Sequence, residues 1–461
     1  MLVRDDTIVA LSTPAGRGAI AVVRLSGRTA HHIGRQLVTP WPDMPRRVTR
    51  CTLRDARDEQ ELDRALVTRF DAPRSYTGEP MVEIACHGGV AVPAAVLEAI
   101  IALGARQAEP GEFTQRAVLN GKLDLLQAEA VGDLIDARTH ALRRTALRQL
   151  DGGLSRALAD LRERMLHVEA LLAYDIDFPE EDDGPISHAT IEAATREACA
   201  ILERLLATVP LGEIARDGAL VVIAGPPNAG KSALFNALLG ETRALVTPVP
   251  GTTRDAIEAR VESGRWPLRL VDTAGLRETS DLVERLGIEV SERHIGDAHL
   301  VLVCGETTAQ LAASVERVAA LGSAPRIAVL TKADDTSGDA LPDGADGIDG
   351  IDGVEGTAIV SAATRRGLDQ LLAEVHAVLE RYVGDVHPEL PIVVRARHRQ
   401  ALEAAARELA AFLSLWSSRA LPASVAAIHV RSATHHLDEL IGSVDVEDVL
   451  ERVFRTFCVG K

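Results

Sequence analysis

The spacing of apolar positions changes several times along this 461-residue chain. Residues 7–11, 19–25 and 81–85 are short β-type runs, and residues 92–103 repeat apolar side chains at helical spacing. Together they predict an α+β domain over residues 1–120. From Leu123 the pattern turns helical, opening with LDLLQAEAVGDLIDA and continuing through Ala-, Leu- and Arg-rich segments to about Val209. The acidic break DIDFPEEDDGP, residues 175–185, reads as a connector between helices rather than a metal site. Further apolar strands are predicted at Ala219–Ala224, residues 268–271, Arg326–Leu330 and residues 357–360, and a second helical block runs from Arg395 to Phe457.

The layout that follows is an α+β domain (1–120), a first helical part (121–216), an α/β domain (217–383) and a second helical part (384–461). Packing the two helical parts on each other makes the α/β domain an insertion, which is tolerated where the inserted termini lie close together. The expected fold is therefore multidomain, α/β and α+β. Within the inserted domain, residues 335–356 are rich in Asp and Gly. They lack EF-hand spacing and its terminal Glu, and so predict a polar surface loop.

The string GPPNAGKS, Gly225 to Ser232, lies between the strand Ala219–Ala224 and the helical SALFNALLG. A strand, a Gly-rich turn and a helix are the context a P-loop requires. The glycines let backbone N–H groups of Asn228, Ala229, Gly230, Lys231, Ser232 and Ala233 converge on phosphate oxygens, and the helix N-terminus adds its positive end. Lys231 reaches the β- and γ-phosphates in such a loop, and the Ser232 hydroxyl ligates Mg²⁺.

Three more elements follow in order. Asp272, Thr273, Ala274 and Gly275 form DxxG at a strand end, with the Asp holding Mg²⁺ through water and the Gly N–H meeting the γ-phosphate. Thr331, Lys332 and Asp334 belong to a [NT]KxD element, whose carboxylate accepts from guanine N1 and N2, donors that adenine lacks. Ser361 and Ala362 fit the loop whose backbone meets guanine O6. The four elements together imply GTP. Thr at position 331, where Asn is commoner, predicts a modestly lower guanine affinity. The loop Thr247, Pro248, Val249, Pro250, Gly251, Thr252, Thr253 carries the switch threonine for Mg²⁺, assigned to Thr253. Leu276 follows DxxG, and an apolar side chain cannot orient water as glutamine does in Ras-type enzymes.

Beyond these motifs, the strings PNAGKS, GTTRD, DTAGLRE, LVERLGIE, PRSYTGE, CHGG, PGEFTQRAVLNGKLDLLQAEA and FCVGK resemble the MnmE (TrmE) family of tRNA modification GTPases, from Asp6 to Lys461. The resemblance implies a cytoplasmic, potassium-stimulated GTPase that dimerises through a tetrahydrofolate-binding-like N-terminal domain. It implies work with the flavoprotein MnmG, in a heterotetramer or larger complex, on C5 of the wobble uridine of certain tRNAs. It also implies a reduced folate, such as 5-formyl-tetrahydrofolate, as the source of the one-carbon unit. Carried over residue by residue, the folate contacts are Arg24, Glu83, Lys122 and Lys461. The water-orienting Glu is Glu284, which spacing alone does not separate from Glu278 or Glu289. K⁺ in place of an arginine finger falls to Asn228, Thr247, Val249 and Thr252. Without the resemblance, Glu83 and Lys122 read as surface charges and Lys461 as a frayed terminus. Cys458, in FCVGK, is either helix filler or a chemical group, and His87, in CHGG, reads as a turn residue. A ribosome-assembly GTPase, a folate-dependent transferase with a regulatory G domain and a scaffold switch are the competing readings. No GxxG RNA-clamping module stands beside the G domain to favour the first.

Composition narrows the partners. With 46% hydrophobic residues the chain has enough apolar volume for well-filled cores, yet no run approaches the ~20 residues of a membrane span. Charges interrupt the N-terminus MLVRDDTIVA, so no signal-peptide layout is expected. Five cysteines, at 51, 86, 199, 304 and 458, show no metal spacing and suggest a reducing cytoplasm. The net charge of -17 argues against a bulk RNA binder, so tRNA contact requires a local patch. One candidate is the stretch Arg138 to Arg164, with seven arginines against three acids; a solvated helix face is the other reading.

Overall fold

The computed structural model describes residues 6–137, 139–177, 186–241, 257–263, 266–272, 293–333, 348, 350–383, 391–418, 422–442 and 460. The chain forms two compact units: residues 1–135, 147–198 and 404–461, and residues 136–146 and 199–403.

In the first unit, strands β1 (Ile8–Leu11), β2 (Ile20–Ser26), β3 (Val38–Thr39), β4 (Thr49–Arg54), β5 (Glu61–Phe70), β6 (Met81–His87) and β7 (Arg106–Gln107) make one sheet. Its order is β3-β4-β5-β6-β2-β1-β7, antiparallel except for the parallel β1–β7 edge. Alternation along β2 explains its orientation. Ala21, Val23 and Leu25 are buried, while Ile20, Val22 and Arg24 take the other face. Helices α1 (Ala30–Leu37) and α2 (Ala91–Ala102) cover the buried face, adding Ile33, Leu37, Val96 and Ile100 to its core. The expected strands and helix of this region are present. β4 and β5 went unanticipated because β5 carries Glu61, Asp63, Arg64 and Arg69, and only Ala65 and Val67 along it are fully buried.

After α3 (Glu112–Leu119) come α4 (Leu125–Asp136), α5 (His140–Leu150), α6 (Gly153–Asp177) and α7 (His188–Leu206). The late helix Ala423–Ile441 packs along α6, where the Arg162 guanidinium meets Asp438 and the Thr434 hydroxyl donates to Glu169. Trp416, in the helix Ala396–Ser418, stacks on His188 at 3.9 Å and donates Nε1–H to its carbonyl at 3.1 Å. Helical segments from either side of the inserted domain therefore share one core.

The second unit holds α8 (Val209–Asp217), β8 (Ala219–Ala224), α9 (Lys231–Glu241), β9 (Ile257–Ser263), β10 (Trp266–Asp272), β11 (Leu300–Gly305), β12 (Arg326–Leu330) and β13 (Gly356–Ile359). The order β13-β12-β11-β8-β10-β9 is parallel save for the antiparallel edge strand β9. β8 is apolar throughout because both its faces are covered. Val221 and Ile223 pack with Leu234, Phe235, Leu371 and Val375, whereas Leu220, Val222 and Ala224 pack with Val315 and Val318. The two neighbours of β8 lead away in opposite directions, so its C-terminal end sits at a topological switch point, where such sheets bind ligands.

Candidate functional site

The turn leaving β8 is built for close backbone approach. Gly225 has φ +146°, and a Cβ there would fall 2.4 Å from the Cys304 carbonyl oxygen. Gly230, at φ +72°, backs onto the Thr331 side chain, 3.3 Å from where its Cβ would stand. Asn228 itself adopts φ 63°, a left-handed conformation that asparagine tolerates better than most residues. Lys231 is buried and curls back, donating from Nζ to the carbonyls of Gly225 at 2.9 Å and Pro226 at 2.7 Å. Its ammonium thus stands over the loop whose N–H groups open α9. Burial pushes the neighbouring Cys304 thiol up to about 12, so it stays protonated beside the loop.

Ser232, the next residue, donates its hydroxyl to Asp272 Oδ2 at 2.7 Å. The two come from separate elements, α9 and the end of β10, and Asp272 is buried. A hydroxyl and a carboxylate oxygen converging on one point suit a hard cation such as Mg²⁺. Among the described residues no three His, Cys, Asp or Glu side chains gather into a metal cluster.

The end of β12 closes the cradle from behind. Thr331 Oγ1 lies 2.9 Å from the Ala229 carbonyl and 3.1 Å from that of Gly305, and the Thr331 N–H donates to Gly305 at 2.9 Å. Threonine thereby supplies a side-chain link to the P-loop from the position where asparagine is commoner. Lys332 follows at φ 58°, its ammonium 2.5 Å from Glu306. Ala333 N–H donates to Val360, and Ser361 is held by its N–H to Arg366 at 3.0 Å and by Thr364 N–H to its hydroxyl at 3.1 Å. Glu306 carried no motif signal, since its pairing arises only from the β11–β12 juxtaposition. Ala233 and Ala362 are described; Thr247, Pro248, Val249, Pro250, Gly251, Thr252, Thr253, Thr273, Ala274, Gly275, Leu276, Glu284 and Asp334 lie outside the described residues.

A second polar site occurs in the first unit. Register pairs Arg24 on β2 with Glu83 on β6, and Arg24 Nη2 and Nε approach Glu83 Oε1 at 2.9 and 3.0 Å. The guanidinium lies over two aromatic rings, 5.3 Å from the Tyr76 centroid and 5.7 Å from that of Phe113. Neither ring was singled out from the sequence, although both lie in the strings PRSYTGE and PGEFTQR. The Gly460 carbonyl accepts from Ser12 Oγ at 3.0 Å and Arg24 Nη1 at 3.4 Å, so Gly460 reaches this pair. Lys122 is exposed, its stem against Gly78 in the segment between β5 and β6, where a Cβ would stand 3.3 Å from Lys122 Cγ. His87 ends β6, with Nδ1 2.7 Å from Asp63 Oδ1. Lys461 and Cys458 lie outside the described residues.

Glu112, next to Phe113 in sequence, anchors an ionic network in which Glu112 and Arg116 are buried. Glu112 receives Arg106 Nη2 at 2.6 Å and Arg116 Nη2 at 3.0 Å, and Arg116 also reaches Asp6 at 2.6 Å. Burial pushes the Glu112 carboxyl up, but hydrogen bonds from Arg106, the Glu109 N–H and Arg116 outweigh it and hold the group below its ordinary value.

A phosphate cradle on a parallel sheet, tied from behind by the strand that carries the TKAD element, is the arrangement of a P-loop GTPase, and that is the class of this protein. The chain matches the family model of the MnmE helical domain over residues 125–458 and that of the GTP-binding protein TrmE N-terminus over residues 7–122. It is 41% identical to the tRNA modification GTPase MnmE of Moorella thermoacetica over 464 residues, covering 99% of this chain and 100% of that protein. The proteins of the same description from Methylobacterium radiotolerans and Aquifex aeolicus are 43% and 38% identical, each across 99% of this chain and 99% and 100% of their own length. The chain belongs to the MnmE family of tRNA modification GTPases. Among the described residues no helix is long and apolar enough to cross a membrane.

Proposed function

We propose that this GTPase is stimulated by K⁺ and, with a flavoprotein partner, installs a carboxymethylaminomethyl-type group at C5 of the wobble uridine, using a folate one-carbon unit. The observation that carries the folate reading is the Arg24–Glu83 pair, seated on two aromatic rings beside the Gly460 carbonyl. A carboxylate at that spot accepts the N–H donors of a pterin edge, and Arg24, Lys122 and Lys461 offer cations to the folate's anionic tail.

In the nucleotide site, Lys231 neutralises β- and γ-phosphate oxygens while the α9 N-terminus orients them. Ser232 and Thr253 would hold Mg²⁺, with Asp272 acting through water, and Asp334 reads the guanine edge. Asn228, Thr247, Val249 and Thr252 would hold K⁺, which supplies the positive charge that an arginine finger brings elsewhere. Glu284 orients the attacking water in place of the glutamine replaced by Leu276.

The dimer reading draws on the sheet face opposite α1 and α2. Leu66, Ala85 and Val22 stand in one cross-strand row on β5, β6 and β2, next to the row of Glu83 and Arg24. Leu66 is 46% exposed, and a second copy of the chain would cover it.

Mass spectrometry of wobble uridines from cells lacking the chain tests the whole. Unmodified uridine at that position is expected. Normal tRNA with defective ribosomal subunits would replace this function with ribosome assembly.

A further inference from the structure

We propose that the face formed by α1 and the loop of residues 40–48 docks the phosphate backbone of the tRNA; this rests on the tRNA-modifying function above. Residues 28–48 hold four arginines and one acid, Asp43, a net charge of +3 within a chain of net charge -17. His32 and Arg35 on α1 and Arg46 and Arg47 in the loop are all exposed.

The surface is organised rather than merely charged. Trp41 packs on α1, where Gly34 makes room: a Cβ there would stand 2.6 Å from indole Cζ3. The Arg35 guanidinium lies 5.4 Å from the Trp41 ring centroid, which joins helix to loop by a cation–π contact. Arg46 takes a left-handed conformation, φ 62°, fixed by its N–H donating to the Arg69 carbonyl at 2.8 Å. Among the described residues, Arg47 approaches the Met44 sulfur, at 3.9 Å. Asp71, the neighbouring acid on the β5 side, already faces Arg69 at 3.4 Å and His31 at 3.9 Å.

Arginine in place of lysine at every basic position of this stretch suits planar, bidentate contact with phosphate oxygens. The excess of positive charge favours a polyanion over a protein partner, even with Met44 and Val48 exposed nearby. The Arg-rich stretch around α5 is the competing RNA track. Its helix carries Arg143 and Arg144 exposed, but no aromatic contact joins either to a second element among the described residues.

The test is fluorescence anisotropy of the full chain with an unmodified tRNA transcript, titrated between about 50 and 300 mM KCl. Arg46→Gln/Arg47→Gln should weaken binding at least tenfold at the lowest salt and flatten the log K against log salt slope by about two, one per lost phosphate contact. Basal GTPase rate and melting temperature should stay at wild-type values, and Arg143→Gln/Arg144→Gln should keep the wild-type slope. A wild-type slope in Arg46→Gln/Arg47→Gln overturns the surface while leaving the tRNA function intact. A wild-type chain that binds no tRNA at the lowest salt overturns both. Unchanged tRNA binding with lost co-elution of the flavoprotein reassigns the face to protein docking and also overturns the proposal.

Discussion

The Thr331 hydroxyl stands 2.9 Å from the Ala229 carbonyl oxygen, linking the end of β12 to the phosphate loop across 102 residues of chain. Both residues are buried, so the contact holds the two elements in one relative position away from solvent.

Thr331→Val keeps the side-chain shape and removes this donor. Leaving a buried carbonyl without it costs roughly 1–2 kcal/mol of stability; the share that falls on the loop shape nucleotide requires weakens GDP affinity, by up to about tenfold. Calorimetry with GDP checks the value. An unchanged Kd would mean that the loop keeps its shape unaided.

Charge compensation by K⁺ predicts a large effect, because arginine fingers are worth about 10³–10⁵ in rate. GTP turnover by the full chain should rise by orders of magnitude on replacing Na⁺ with K⁺. Asn228→Ala should lose that response while still binding GTP, and Glu284→Ala should lose turnover with nucleotide affinity kept. Equal rates in the two cations, with Glu284→Ala active, would leave an ordinary GTP switch.

Glu83→Ala removes the carboxylate and, among the described residues, leaves Arg24 facing the Gly460 carbonyl and the two rings. A lost charge-assisted pair costs about 1.5–3 kcal/mol, so 5-formyl-tetrahydrofolate should bind more than tenfold more weakly by calorimetry, with GTPase activity intact. Equal affinity in the two proteins would remove this pair from the folate site.

Acid should unfold the N-terminal domain through its ionic network. The Glu112 and Asp6 carboxyls both lie below their ordinary values: burial raises each, and their arginine partners outweigh it. The unfolded chain therefore binds more protons than the folded one. The stabilisation is fully present above the unfolded carboxylate range, about 4, and is lost as pH falls through the lower folded values. Glu112→Gln leaves the buried Arg116 with one carboxylate fewer and should cost about 3 kcal/mol at pH 7. Its thermal midpoint should also depend less on pH between about 5 and 3. A midpoint equal to wild type at neutral pH would show the network to be dispensable.

Which parts of this protein were legible in its sequence follows from the range of the forces involved. β8, the glycine turn and α9 are local: an apolar run, residues with left-handed freedom and a helical repeat fix them within some twenty residues. β11, LVLVCG, carries the same kind of buried run and was equally readable, although it was not anticipated. β5 was not readable, because its charges mask a strand buried at only a few positions. The site contacts belong to tertiary structure. Arg24 meets Glu83 only because β2 and β6 settle in one register, and a one-residue slip would send each to the opposite face. Ser12 meets Gly460 across 448 residues because chain closure, unlike periodicity, has no signature in neighbouring side chains. Arg35 over Trp41, and Thr331 behind Ala229, are likewise products of packing between elements. The sequence named the chemistry of this protein, and long-range packing decided which groups share a site.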